Sequence, residues 1–165
     1  MSPINLKIGD ASQLLLDKLE AQGLKVTRYY GYDIPELPED ITALGDAEIM
    51  DLYSKLVAYH EFLSLQEWCT NTDVSEQDRV LKLVIANLRL SRKAKGKTPA
   101  DIAAEIETDA EYGSLLKDHV EMQNYGSLLE IMMQSVTKNI QLVGRELSRR
   151  KDNSDFVNRS RSFNP

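Results

Sequence analysis

The stretch DAEIMDLYSKLVAYHEFL, residues 46–63, decides the fold of this 165-residue chain. Its apolar side chains recur at alternating steps of three and four, which places them along one face of an α-helix. The members of this seam are Ile49, Leu52, Leu56, Tyr59 and Leu63. The same spacing continues to Leu88, so the pattern predicts one helix from about Asp46 to about Lys93. A break near residues 70–75 stays an alternative, because the run Thr-Asn-Thr-Asp there forms helix poorly.

A second long helical region follows the sequence Thr98-Pro99-Ala100-Asp101. A cap residue, a proline in the first turn and an acid three residues after the cap indicate a helix start. We expect a short helix there, which gives way near Thr108 or Asp109 to a longer one ending at Arg149-Arg150. The seam of the longer helix is Leu115, His119, Met122, Leu129, Met132 or Met133, Val136, Ile140, Val143 and Leu147. Two such seams predict an antiparallel hairpin that turns at Lys95–Pro99.

The residues before Asp46 predict a short helix and an extended strap. Asp10 and the leucines after it are typical of an N-capped amphipathic helix that ends at Gly23. From Leu24 to Pro38, tyrosines and β-branched residues favour extended backbone, and the prolines forbid a regular helix. The predicted fold class is therefore all-α, a long antiparallel helical hairpin with a short N-terminal helix and an extended tyrosine-rich strap. Its predicted parts are the N-terminal helix and strap (1–45), the hairpin core (46–151) and a flexible polar tail (152–165).

Both long helices carry more apolar positions than a contact between two helices needs. The additional positions are Met50, Val57, Phe62 and Leu65 in the first helix, and Leu116, Val120, Leu128 and Ile131 in the second. Because two helices alone make a thin core, these side chains need cover from elsewhere, and other copies of the chain can supply it. The sequence therefore predicts a homo-oligomer.

Composition excludes several classes of protein. The formal net charge of -6 argues against indiscriminate nucleic-acid binding by the whole surface, since phosphate neutralisation requires clustered Lys and Arg. The longest apolar runs are only a few residues, far short of the roughly 20 that a membrane-spanning helix needs. The N-terminus lacks a basic segment followed by an apolar stretch. We expect a protein without membrane contact that works in the cytoplasm.

No group of residues in the sequence matches a known catalytic motif, so we expect no enzyme, no cofactor and no metal. His60-Glu61 lacks a second histidine four residues on, and there is no Gly-rich phosphate loop or nucleophile elbow. A helical metal-dependent hydrolase using His60 and His119 is the weakest alternative, because these two positions need not meet in the predicted hairpin. The single cysteine, Cys69, is expected to be a buried, inert thiol beside Trp68.

Two basic clusters are the candidate sites for contact with nucleic acid or a partner protein. They comprise Arg89, Arg92, Lys93, Lys95 and Lys97 near the turn, and Arg145, Arg149, Arg150 and Lys151 at the end of the second helix. The alternative in each case is a helix C-terminus whose cations complement the dipole. For the first cluster, that role includes pairing with the acids of the following segment. The strap sequence Arg28-Tyr29-Tyr30-Gly31-Tyr32 also mixes a cation with stacking surfaces, although aromatic clamping of the strap is the commoner case.

The ending LVGRELSRR, residues 142–150, resembles the final helix of small helical proteins encoded by tailed bacteriophages. Upstream, LPEDITALGDAEIMDLYSKL, residues 37–56, looks like the entry to a helix in those proteins. Some proteins of this sort are similar to small terminase subunits, which regulate genome packaging. The resemblance implies a ring-forming, non-catalytic protein that engages viral DNA and the large packaging subunit, which carries the ATPase and nuclease work.

The expected function is accordingly that of a phage assembly protein, most similar to a small terminase subunit, in the cytoplasm of an infected bacterial host. The alternative is a helical protein-interaction module that binds and modulates a host or viral protein without binding DNA. The acidic net charge motivates this alternative, together with a C-terminal tail that contains phenylalanine.

Overall fold

The computed structural model describes residues 4–31 and 33–162, and for residues 154–162 it describes the backbone alone. Within that part of the chain the fold is predominantly helical, which confirms the all-α prediction in its coarse form. The helices are α1 (Asp10–Ala21), α2 (Asp46–Ala94), α3 (Pro99–Glu107) and α4 (Ala110–Ser162), with a 3-10 turn at Ile41–Ala43. Strands β1 (Ile4–Asn5) and β2 (Tyr29–Tyr30) form one short antiparallel ladder, with Ile4 opposite Tyr30. No helix of the described residues is both long enough and apolar enough to cross a membrane.

The chain divides into two compact units, and each is described by itself. The first unit comprises Met1–Leu6, Thr27–Leu65 and Ile131–Pro165. The second unit comprises Lys7–Val26 and Gln66–Glu130. Each of the two long helices, α2 and α4, therefore contributes one part to the first unit and another part to the second.

In the first unit, α2 and α4 run in opposite directions, and seam residues of both helices are buried. Arg150 Nη1 lies 2.7 Å from Asp46 Oδ1, and a Cβ at Gly144 would lie 3.7 Å from the Tyr53 ring, so increasing numbers on α2 meet decreasing numbers on α4. The buried seam residues are Ile49, Leu56, Tyr59, Leu63, Val136 and Val143. These six predicted seam positions are confirmed as buried, whereas three others, Leu52, Ile140 and Leu147, are only half-buried.

The tyrosine-bearing segment of the first unit packs on α2 through one side chain. Tyr30 is buried, its ring lies 5.1 Å from that of Tyr59 and 5.8 Å from that of Phe62, and its hydroxyl donates to the Lys55 carbonyl. Tyr29, its neighbour on the strand, is exposed. Tyr30 therefore clamps the segment to the helix, as expected for a strap aromatic. Tyr32 lies outside the described residues.

In the second unit, polar side chains of α2 hold the N-terminal segment. The Gln66 amide pairs with the backbone of Lys7, accepting from its N–H and donating to its carbonyl. The Asp73 carboxylate accepts from the backbone N–H groups of Gly9 and Ser12, at 2.8 and 2.9 Å. Since Gly9 is the N-cap of α1 and has no side chain, Asp73 replaces the missing capping group. The predicted N-cap, Asp10, is instead the first helical residue.

The predicted single helix from about Asp46 to about Lys93 is confirmed and the alternative break is absent, whereas the predicted end of the second long helix is wrong. The helix α2 continues without a break through residues 70–75, where the Thr70 and Ser75 hydroxyls donate to carbonyls four residues earlier, so these polar groups are satisfied within the helix. The helix α4 continues past Arg149-Arg150 to Ser162, so most of the segment predicted to be a flexible tail has helical backbone. Residues 163–165 of that predicted tail lie outside the described residues.

Candidate functional site

The first basic cluster lies at the C-terminal end of α2, and the structure divides its members into two groups. Arg92 lies 3.1 Å from a Glu105 carboxylate oxygen and 3.6 Å from one of Asp109, and Lys97 also pairs with Glu105. The hydrogen bond from Lys97, supported by the charge of Arg92, lowers the pKa of the Glu105 carboxyl. These two cations therefore fasten α3 to the end of α2, as the alternative role for this cluster predicted. They are poorly placed to serve a ligand.

The other members, Arg89, Lys93 and Lys95, are exposed and form no ion pair with the residues that the structure describes. The helix ends at Ala94, and the φ of 72° at Gly96 turns the chain so that the Lys97 N–H bonds back to the Arg92 carbonyl. Lysines on this turn point cationic groups into solvent. Three of the five predicted residues thus remain available to an anionic partner.

The second basic cluster is organised around a carboxylate on its own helix. The Glu146 side chain is only 6% exposed. It accepts two hydrogen bonds from Arg149, through Nε and Nη2, and one from Arg150 Nε, all at 2.7 Å. These hydrogen bonds, from Arg149 first and then Arg150, lower the pKa of Glu146 from 4.5 to about 2. The carboxylate is therefore ionised throughout the physiological range and fixes both guanidinium groups.

Arg150 also reaches the residues that precede and begin α2. Its Nη1 donates to Asp46 Oδ1 at 2.7 Å and its Nη2 to the Thr42 carbonyl at 3.1 Å, so its donors are committed within the first unit. It was predicted as a contact residue, but this geometry gives it a structural role. Arg145 is exposed and has no ion pair with any described residue, while the Arg149 side chain is 56% exposed despite its pair with Glu146. Lys151 is exposed as well.

A groove of about 690 Å³ lies in the first unit beside Arg145 and Arg149. Its other lining residues are Tyr53 of α2, and Gln141, Gly144, Ser148 and Asp152 of α4. The i, i+4 spacing of Gln141, Arg145 and Arg149 could have indicated one shared helix face from sequence. Tyr53 could not be assigned in this way, because its place in the groove depends on a contact between distant parts of the chain.

Two histidines and one cysteine are the potential metal ligands of the chain other than carboxylates. No group of three or more potential ligands among His, Cys, Asp and Glu comes together in the described part of the chain. His60 belongs to the first unit and His119 to the second. His119 is buried, and its Nδ1 has no hydrogen-bond partner among the described residues. Cys69 is buried, as predicted.

A set of large apolar side chains remains exposed on α4. Its members in the second unit are Leu116, Val120 and Leu128, and in the first unit Ile131, Met132 and Leu142. Four of these six are the off-seam positions predicted to need cover. Leu128 and Ile131 are the most exposed, at 59% and 63%. Within each unit these side chains remain exposed to solvent, although seam residues of the same helix are buried.

The comparisons with known proteins add no relative: no family model, no curated protein and no solved structure matches this chain.

Proposed function

We propose that this chain is a non-catalytic assembly protein that associates with copies of itself through the exposed apolar residues of α4. Its proposed role is that of a small-terminase-like subunit, which engages viral DNA and regulates the large packaging subunit in the cytoplasm of a phage-infected bacterium. The proposal includes one antiparallel hairpin of α2 and α4 that turns at Lys95–Pro99. The opposed helix directions and buried seams found within the first unit support that arrangement.

The observation that carries the proposal is the exposed apolar set of α4. Burial of apolar surface contributes about 25 cal/mol per Å², so removing side chains such as Leu128 and Ile131 from water favours association. The set within either unit suits pairing with the same set on a copy, because symmetric interfaces use one patch twice. Single exposed leucines are ordinary, but α4 leaves three large apolar side chains exposed in each of the two units.

The DNA contact in this proposal uses the exposed cations near the turn, Arg89, Lys93 and Lys95. These residues have no described ion pair, whereas Arg92 and Lys97 are engaged by acidic side chains. Because the net charge is -6, binding should depend on this local cluster and weaken steeply with salt. The double variant Lys93→Glu with Lys95→Glu should weaken duplex binding and flatten its salt dependence. Unchanged binding would remove this cluster from the proposal.

Size-exclusion chromatography coupled to light scattering tests the association directly. We expect a mass of several subunits for the natural chain and a lower mass for Leu128→Lys. The matched control is Leu14→Lys, because Leu14 lies on α1 and is also 59% exposed. The control should keep the assembled mass. The proposal would be refuted by a strict monomer at all micromolar concentrations. It would also be refuted if Leu128→Lys and Leu14→Lys changed the mass equally.

The second candidate function is a helical interaction module that binds a host or viral protein and does not bind DNA. The net charge of -6 favours it, since most of the surface would repel phosphate. In this case the apolar residues of α4 would contact a different protein. Affinity capture from infected cells separates the two candidates: recovery of the large packaging subunit supports the first, and recovery of a host complex without it supports the second.

A further inference from the structure

The groove of the first unit, lined by Tyr53, Arg145, Arg149 and their neighbours, has features that helix packing does not require. The buried seam residues of this unit do not line the groove, and most of the residues that do line it carry polar or charged groups. Its volume is about 690 Å³, and it is open to solvent, which suits a ligand that lies along the surface. Two arginines, an amide, a hydroxyl and one aromatic side chain meet there, so the lining combines charge, hydrogen-bond donors and a flat apolar surface.

We propose that this groove binds a single strand of nucleic acid, with Arg145 and Arg149 on the phosphodiester backbone and Tyr53 against a base. The inference deepens the DNA contact of the proposed function and rests on it. It assigns a second and chemically different contact, because the cluster near the turn offers charge alone. Aromatic side chains beside a cationic track are the usual means of holding a single strand.

Arg149 is preorganised for this role. Its Nε and Nη2 hold the Glu146 carboxylate in a bidentate pair, which fixes the plane of the guanidinium group. The N–H groups of Nη1 form no hydrogen bond with any described residue and remain available for a phosphate oxygen. Arg145, one turn earlier and unpaired among the described residues, supplies the positive charge that Glu146 partly removes from Arg149.

Gly144 places no side chain between α4 and the Tyr53 ring. A Cβ at this position would meet Tyr53 Cε2 at 3.7 Å, which is ordinary contact, but a longer side chain would extend into the groove that both residues line. The bases of a duplex are stacked on each other and cannot lie on Tyr53, whereas those of a single strand can. An acidic peptide would use the arginines and leave the ring without a partner.

Asp152 limits where the phosphate backbone of the strand can lie in the groove. Its carboxylate lines the same groove and would repel a phosphate near it. We therefore expect the backbone of the strand to lie over Arg145 and Arg149 and to stay away from Asp152. Asp152→Asn should strengthen binding, opposite in sign to the effect of removing either arginine.

Fluorescence anisotropy with a labelled oligothymidylate and the full chain tests the inference. Tyr53→Leu should weaken binding by about 5- to 100-fold, and Tyr53→Phe, which retains the ring, should leave it unchanged. Arg145→Gln should reduce the slope of log affinity against log salt by about 0.7, the value for one lost contact to a single strand. The matched control is Lys117→Gln, the same loss of charge at an exposed position of α4 outside the groove. It should change neither quantity.

Gly144→Gln provides an independent test if Tyr53→Leu fails to fold, since it fills the groove from an existing helix position. This substitution should weaken binding of the single strand, while the helix content measured by circular dichroism stays unchanged. The inference is overturned if Tyr53→Leu or Gly144→Gln folds and binds normally, or if Arg145→Gln behaves like Lys117→Gln. It is also overturned if a labelled polyglutamate peptide binds as tightly as the oligothymidylate and responds equally to Tyr53→Leu.

Light scattering on the same samples separates this inference from the proposed function. A monomer that binds the strand through Tyr53 and Arg145 would refute self-assembly and leave the groove assignment intact. An assembled protein whose groove variants bind like the natural chain would refute the groove and leave assembly standing.

Discussion

Replacing Asp73 with alanine is expected to free the start of α1 and to destabilise the second unit. The carboxylate accepts three hydrogen bonds: from the Gly9 N–H at 2.8 Å, from the Ser12 N–H at 2.9 Å and from the Ser12 hydroxyl at 2.8 Å. It therefore satisfies two backbone donors at the start of a helix whose own N-cap residue has no side chain. Its negative charge also complements the positive end of the helix dipole.

The magnitude follows from what the substitution removes. Loss of an N-cap acceptor costs about 0.5–2 kcal/mol, and a hydrogen bond to a charged group contributes about 1.5–3 kcal/mol. Ser12 is 0% exposed, so water cannot take over its hydrogen bonds unless the helix end opens. We expect Asp73→Ala to lower the free energy of unfolding by about 2–4 kcal/mol, and Asp73→Asn by about half as much because one acceptor oxygen remains.

Urea denaturation followed by circular dichroism measures this loss, and amide hydrogen exchange locates it. The exchange of the Gly9 and Ser12 amides should accelerate before that of the rest of the unit. Asp78→Ala is the matched control, since it removes the same charge from the same helix but breaks only an exposed pair with Lys82. The control should cost less than about 1 kcal/mol. Equal losses for the two variants, or unchanged exchange at Gly9 and Ser12, would refute the reasoning.

Three further changes test other contacts. Gly9→Ala would place a Cβ 2.6 Å from Asp73 Cγ, so it should destabilise the natural chain more than it destabilises the Asp73→Ala variant, as a double-mutant cycle in urea would show. Because its arginine partners lower the pKa of Glu146 to about 2, the stability contributed by this carboxylate is complete above about pH 5 and disappears as the pH falls through about 2. The difference in urea midpoint between the natural chain and Glu146→Gln should therefore close over that interval, and a constant difference would contradict it. Thr98→Ala should cost about 1 kcal/mol in thermal or urea unfolding by removing the acceptor for the Asp101 N–H, whereas Thr98→Ser should be nearly neutral.

Features with a local cause could be predicted from the sequence. The start of α3 is one example, since Thr98, Pro99 and Asp101 lie within one turn and the Thr98 hydroxyl does accept from the Asp101 N–H. The apolar seams are another, because helical periodicity decides which positions face inward. The buried state of Ile49, Leu56, Val136 and Val143 follows from that periodicity.

Features that depend on contacts between distant residues could not be predicted. Asp73 lies 61 residues from Ser12, and Gln66 lies 59 residues from Lys7, so nothing near either position indicates its partner. The polar run that suggested a break near residues 70–75 includes Asp73, which makes one of these long-range contacts. One of its residues caps a different helix, and α2 itself remains continuous. Helix propensity showed that residues 70–75 are unusual for a helix interior, but it could not show why they are there.

The same limit applies to the candidate site. A count of basic residues treats Arg92, Lys97 and Arg150 like their neighbours, but the fold pairs these three with carboxylates. What remains exposed is a smaller set, divided between the turn and the groove. Charge clusters in a sequence therefore overstate the cations available for binding wherever acidic partners can fold against them.

The proposed assembly and the proposed groove are linked in a way that can be measured. If several copies each present one groove, a long single strand can occupy more than one of them, and its apparent affinity should exceed that of a short strand by on the order of 10²-fold. Leu128→Lys should remove most of this advantage by separating the copies, while leaving the affinity for a short strand unchanged, because Leu128 does not line the groove. Arg145→Gln should weaken both strands. An equal loss for long and short strands in Leu128→Lys would show that the exposed leucine acts on the fold of the single chain and not on its assembly.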